Sequence, residues 1–160
     1  MKKTLAVVLP AVVLSGMSLS AHAATENYTI DPFHTYPNFT IDHLGYSTMY
    51  GRFGKTSGSF RLDRDRMTGS VDIRIDAASV DTGMKKRDDH LRSPDFLNVA
   101  EFPDITYSAK NVKLKKNGTG KVKGTLTMMG VSKPVTLEVT HMHCATHPFD
   151  PTKKKFVCGF

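Results

Sequence analysis

Apolar and polar residues alternate with a period of two over most of this chain. Phe39, Ile41 and His43 alternate with Asn38, Thr40 and Asp42; Phe60 and Leu62 with Ser59, Arg61 and Asp63; Val71, Ile73 and Ile75 with Ser70, Asp72, Arg74 and Asp76. Successive side chains of a strand point to opposite faces, so each run predicts a half-buried strand with one apolar side. The rhythm returns at Ile105, Tyr107 and Ala109, at Val122, Leu126 and Met128, and at Val135, Leu137 and Val139. Turn signals at Asn117-Gly118 and Met129-Gly130-Val131-Ser132 separate these runs. A succession of hairpins with so little helix to cover its apolar faces predicts a sandwich or a sheet closed on itself as a barrel.

One region breaks the rhythm, between Ala78 and Pro103. Charge-rich Lys85-Lys86-Arg87-Asp88-Asp89 leads into His90 and Leu91, and Ser93-Pro94-Asp95-Phe96-Leu97 reads as an N-cap with proline at the first helical position. Two short helices are predicted here, capping one mouth of a barrel with Leu91, Phe96, Leu97 and Phe102 turned inward. Asp88, Asp89 and His90 come nearest to a general acid and base, but neighbouring helical residues do not face one another. No nucleophile or oxyanion loop accompanies them, so pairing and capping are expected rather than catalysis.

At the N-terminus Lys2 and Lys3 precede an apolar run from Leu5 to Leu19, followed by Ala21-His22-Ala23. The run is shorter than the roughly 20 residues of a spanning helix, and its flanks fit a cleaved signal peptide, residues 1–23. Residues 24–160 are then one domain. Without Lys2 and Lys3 the net charge falls from +7 to about +5. The lysines gather in Lys113 to Lys123 and Lys153 to Lys155; they read first as solvated hairpin faces and second as an attraction to anionic lipid headgroups. Export argues against a nucleic-acid partner.

Cys144 and Cys158 flank the turn-forming His147-Pro148-Phe149-Asp150-Pro151 in a chain expected in an oxidising compartment, so a disulfide is predicted. The competing reading is zinc or copper held by His141, His143 and His147 with Cys144. It is the weaker one, because a disulfide consumes the thiol.

Taken in order, several short motifs resemble one family. They are Tyr28-x-Ile30-Asp31-x-x-His34, Phe39-x-Ile41-x-His43-Leu44-Gly45, Gly51-x-Phe53, Arg87-Asp88-x-His90-Leu91-x-Ser93-x-Asp95-Phe96, Phe102-Pro103-x-Ile105 and Gly124-x-Leu126-Thr127-x-x-Gly130-Val131-x-Lys133-Pro134-Val135. Each is weak alone; in this order and spacing they resemble the YceI-like periplasmic proteins over nearly all of the exported chain. The cysteine pair also resembles one found in some members.

That resemblance implies an all-β, antiparallel, eight-stranded, extended lipocalin-like barrel with a long hydrophobic channel. Its known ligands are polyisoprenoids, isoprenoid quinones and related long-chain amphiphiles. Channel walls are then expected from Phe39, Ile41 and Phe53, from Phe60, Ile73 and Ile75, from Ile105, Tyr107, Leu126 and Met128, and from Leu91, Phe96 and Phe102 near a mouth. By alternation alone each of these is as readily a core residue; the resemblance turns the set into a channel. His43, Asp89 and His90 are candidate polar contacts at the mouth. The expected function is a periplasmic carrier of an isoprenoid lipid or quinone, with no cofactor and no catalytic residue. Its partners are the lipid and, transiently, the membrane surface, with the protein a monomer or homodimer. Relatives continue through a further pair of strand segments where this chain stops at Cys158-Gly159-Phe160, so a barrel lacking its last strands, with an open edge, is expected.

Overall fold

The structure, a computed structural model, describes residues 25–160; the expected signal peptide lies outside the described residues. Strand β1 (Glu26–Thr29) is followed by the hairpin β2 (Asn38–His43) and β3 (Ser47–Phe53), then by β4 (Thr56–Asp63) and β5 (Thr68–Asp76). A 3-10 turn (Ala77–Ser79), the short β6 (Val80–Asp81) and helix α1 (Lys85–Arg92) come next. After them come β7 (Asp104–Lys113), β8 (Gly120–Met128), β9 (Val131–Val139) and a last hairpin of β10 (His143–Thr146) and β11 (Phe156–Gly159). The antiparallel, all-β expectation is met. The ladders form a six-stranded sheet in the order β1-β4-β5-β7-β8-β9, a three-stranded sheet β2-β3-β6 and the two-stranded β10-β11. Among the described residues no ladder runs unbroken round a closed ring.

The strands arise where the alternation predicts them, and the turns between them have local causes. Met129 and Gly130 both take positive φ, 51° and 71°, the backbone of a two-residue hairpin turn joining β8 to β9. At the β7–β8 turn the Asn117 side chain accepts from the N–H and hydroxyl of Thr119 while Gly118 takes φ 82°. One of the two expected helices forms. After Ser93 the chain makes turns instead: Phe96 and Asn98 both donate to the Ser93 carbonyl, and Asn98 adopts φ 43°, which stops a helix from continuing.

In-register pairing puts one residue of each strand in a row across the large sheet. Gly58, Ile73, Tyr107, Leu126 and Lys133 form one such row, and Thr56, Ile75 and Ile105 another. The face these rows share contains the core: Tyr107, Ala109 and Val122 join Met67, Val112 and Leu114 in one cluster, and Ile75, Ala77 and Ile105 form a second. Phe53 of β3 packs on the second cluster, which fixes the small sheet against this face. The last hairpin is held against β4, with the Phe160 ring edge-on to Phe60 at 4.9 Å and the Arg64 guanidinium 4.6 Å from the Phe156 ring centre.

Candidate functional site

The shared face of the large sheet is apolar over five strands. From β4 to β9 it carries Phe60 and Leu62, then Val71, Ile73 and Ile75, then Ile105, Tyr107 and Ala109, then Val122 and Leu126, then Val135, Leu137 and Val139. Among the described residues of those strands one charged side chain shares it, Lys133, in register with Leu126. The face is sealed on one side and open on the other. Leu62 is fully buried and Phe60, Ile105 and Tyr107 nearly so, whereas Ile73, Leu126 and Val135 are half-buried and Leu137 and Val131 are exposed. Phe39 and Phe53, with ring centres 5.6 Å apart, extend the surface onto the small sheet. A Cβ on Gly51 would fall 2.3 Å from the Phe39 ring, so glycine there lets the ring lie flat on β3.

Of the residues expected in a channel, Phe39, Phe53, Phe60, Ile73, Ile75, Ile105, Tyr107 and Leu126 belong to this continuous surface. Met128 stands at its rim, 40% exposed. Ile41 does not join it: β6 is two residues long and pairs only with Arg52 and Phe53 of β3, so the outer part of the β2–β3 hairpin has no third strand and Ile41 is exposed. Phe96, expected to turn inward, is exposed and packs edge-on to His90, because the Ser93–Asn98 turns replace the expected helix. Phe102 lies against the β8–β9 turn, where a Cβ on Gly130 would be 3.1 Å from its ring, and Leu91 is half-buried on α1.

The expected polar mouth does not assemble. His43 is exposed at the end of β2, Asp89 binds Lys85 at 2.6 Å and Arg92 at 3.1 Å, and His90 binds Asp95 at 3.0 Å. The hydrogen bond from Lys85, followed by the field of its ammonium group, holds the Asp89 carboxyl below its ordinary range. Alternation missed two polar groups that do face the apolar surface. Lys133 follows from extending the period-two reading back from Val135, and Thr56 from extending it back from Phe60. The Thr56 hydroxyl is buried without a protein hydrogen-bond partner. The Tyr107 phenol is spent on the scaffold: it donates to the Val122 carbonyl at 2.8 Å, and burial raises its pKa.

The charge-rich block is also scaffold. Asp88, buried, accepts from the N–H and hydroxyl of Thr82 at 2.9 and 2.5 Å, while Arg87 donates to the Thr82 hydroxyl and carbonyl. Arg92 reaches the carbonyls of Ala78 and Val80, both at 2.7 Å. These bonds tie α1 to the segment that leaves β5. Cys144 and Cys158 form the expected disulfide across the β10–β11 ladder. The disulfide takes the Cys144 thiol that the metal reading included. Among the described residues no three His, Cys, Asp or Glu side chains are grouped to hold an ion.

An open cleft of about 580 Å³ lies on the small sheet beside Phe39, Tyr50 and Arg52, and another of about 670 Å³ beside Phe33, Tyr36 and Arg74.

Residues 28–157 match the YceI-like domain. The chain belongs to the YceI-like family. Protein YceI of Salmonella arizonae is 41% identical over 137 residues, which span 84% of this chain and 71% of that protein, and the Salmonella enteritidis protein matches equally. Among solved structures, the Campylobacter jejuni YceI protein is 34% identical, with 76% of this chain and 71% of that one aligned at a TM-score of 0.57. BcnA of Burkholderia cenocepacia is 25% identical over 66% of this chain and 67% of its own, at a TM-score of 0.59. The YceI-like motifs serve the fold in distinct ways: the central Arg87–Phe96 block anchors α1, and Gly124 with Leu126 belongs to the apolar face.

Proposed function

We propose that this YceI-like chain is a periplasmic binding protein for a long-chain isoprenoid lipid or isoprenoid quinone, which lies along the apolar face and is not chemically changed there. One observation carries the reading: a face apolar over five strands, closed at Leu62 and Phe60 and half-open at Ile73, Leu126 and Val135. A filled core would bury all of these, whereas a partly open apolar surface offers an alkyl tail a place to escape water. Burial of each methylene stabilises by about 0.8 kcal/mol, so a few prenyl units offset the cost of immobilising the ligand. Thr56 and Lys133 are the polar groups available to a headgroup. The disulfide supports an oxidising location.

Native mass spectrometry of protein purified from the periplasm, followed by organic extraction, tests the proposal. A stoichiometric isoprenoid is expected, and its loss in Leu126→Asp, which places a carboxylate in the half-open part of the face. Protein that is folded but carries no lipid, and that takes up none from added isoprenoid, overturns the reading.

A further inference from the structure

The loop between β10 and β11 is built around an aromatic residue held out in water. Phe149 is 87% exposed. Its backbone N–H donates to the His147 ring at 3.2 Å, and Pro148 and Pro151 flank it. Asp150 holds the rest of the loop together, accepting from the N–H groups of Thr152, Lys154 and Lys155 at 3.0, 2.8 and 2.6 Å and from the Thr152 hydroxyl. The disulfide closes the ladder below. A loop this constrained presents Phe149 by construction, and its one carboxylate is committed inward. Lys153, Lys154 and Lys155 are left exposed beside it, and none of the three forms an ion pair among the described residues.

More positive charge collects at the same end. The Arg64–Phe156 contact brings the base of this loop to the β4–β5 turn. That turn is tied to the next one by the Leu114 N–H, which donates to the Met67 carbonyl at 2.8 Å. In the β5–β7 ladder Thr68, at the start of β5, pairs with Lys113, at the end of β7. The exposed Lys113, Lys115 and Lys116 therefore share one end of the molecule with the loop, and they too are without ion pairs among the described residues. An aromatic side chain at the tip of a cationic surface suits the boundary between headgroups and acyl chains of an anionic membrane.

We infer that the 147–155 loop, through Phe149 and Lys153 to Lys155, docks this protein reversibly on an anionic phospholipid bilayer. The inference stands on this surface alone and does not depend on what the apolar face holds. Multiple weak lysine contacts with one shallow aromatic anchor give binding that is readily released.

The chain contains no tryptophan, so Phe149→Trp places a single fluorophore at the tip. With the full disulfide-bonded protein, emission is expected to shift to the blue on adding vesicles of phosphatidylglycerol and phosphatidylcholine. It should not shift with phosphatidylcholine alone, and the shift should vanish at 1 M salt, where screening acts within about 3 Å. Co-sedimentation should weaken more than about tenfold in Lys153→Glu/Lys154→Glu, and measurably in Phe149→Ser. The pair Lys55→Glu/Lys86→Glu, two exposed lysines outside the apolar face, makes the same change of net charge at the opposite end and should bind nearly as the parent does. Three results overturn the inference: no binding by the parent, equal loss in both charge-reversal pairs, or unaltered binding by Phe149→Ser. Tighter, salt-sensitive binding of short DNA than of vesicles through the same lysines also overturns it, in favour of a nucleic-acid surface.

Discussion

At Gly124 the Tyr107 ring crosses β8 where any other residue would carry a side chain. A Cβ there would fall 2.5 Å from the ring and 2.6 Å from the Ser108 carbonyl oxygen. The absent Cβ is what lets the phenol reach the Val122 carbonyl from inside the apolar face. Gly124→Ala should therefore destabilise by about 1–3 kcal/mol in urea unfolding, as overpacked sites do. The cost should shrink when Tyr107 is replaced by Val, because contacting residues couple. Asp150 makes a prediction in pH. Its hydrogen bonds, that from the Lys155 N–H foremost, bring its carboxyl down from 3.8 to about 2. A carboxyl more acidic in the folded chain contributes stability that is present above about pH 4 and lost as pH falls through about 2. Asp150→Asn should lower the melting temperature at pH 5 and leave the gap to the parent narrower at pH 2.

Helix α1 owes its position to side chains that look catalytic in sequence. Its eight residues are too few to be helical alone, so it depends on the bonds to Thr82, Ala78 and Val80. Asp88 and Asp89 are neighbours with opposite roles, which gives a sharp comparison. Asp88→Ala leaves the half-buried Thr82 N–H and hydroxyl without their shared carboxylate acceptor and should cost about 2–3 kcal/mol in chemical denaturation. Asp89→Ala removes only exposed pairs with Lys85 and Arg92 and should cost less than about 1 kcal/mol. Period-two alternation locates the strands well but not which of them gain partners. Ile41 has the same pattern as Ile73, yet the first stands on a hairpin arm beyond the reach of β6 and the second in the middle of the large sheet.

In the whole molecule, burial is graded across one face, from the sealed cluster around Val112 and Leu114 to the exposed Leu137 and Val131. If that gradient holds an alkyl tail, affinity should follow tail length. Each added methylene is worth about 0.8 kcal/mol, about fourfold in Kd, until the tail outruns the surface. Titrating the lipid-stripped protein with isoprenoid alcohols of increasing length measures this; affinity indifferent to length would count against the apolar face as the site. The cationic loops lie at the end away from Lys133, so a tail-binding face and a membrane-facing end are separate surfaces that separate substitutions should perturb.

The strands, most turns, the disulfide and much of the apolar face were legible in the residues, because backbone periodicity and local turn chemistry act over a few positions. Family resemblance added the expectation that those residues line a binding surface, since alternation looks the same in a filled core and in an open one. Only the tertiary structure decided that Ile41 and Phe96 stand outside the face and that Asp88 is spent on Thr82. Those outcomes depend on which strand finds a partner and which carbonyl lies within reach of a guanidinium. Both are set by packing in three dimensions, as where Arg92 reaches the carbonyls of Ala78 and Val80, which the spacing of residues along the chain does not reveal.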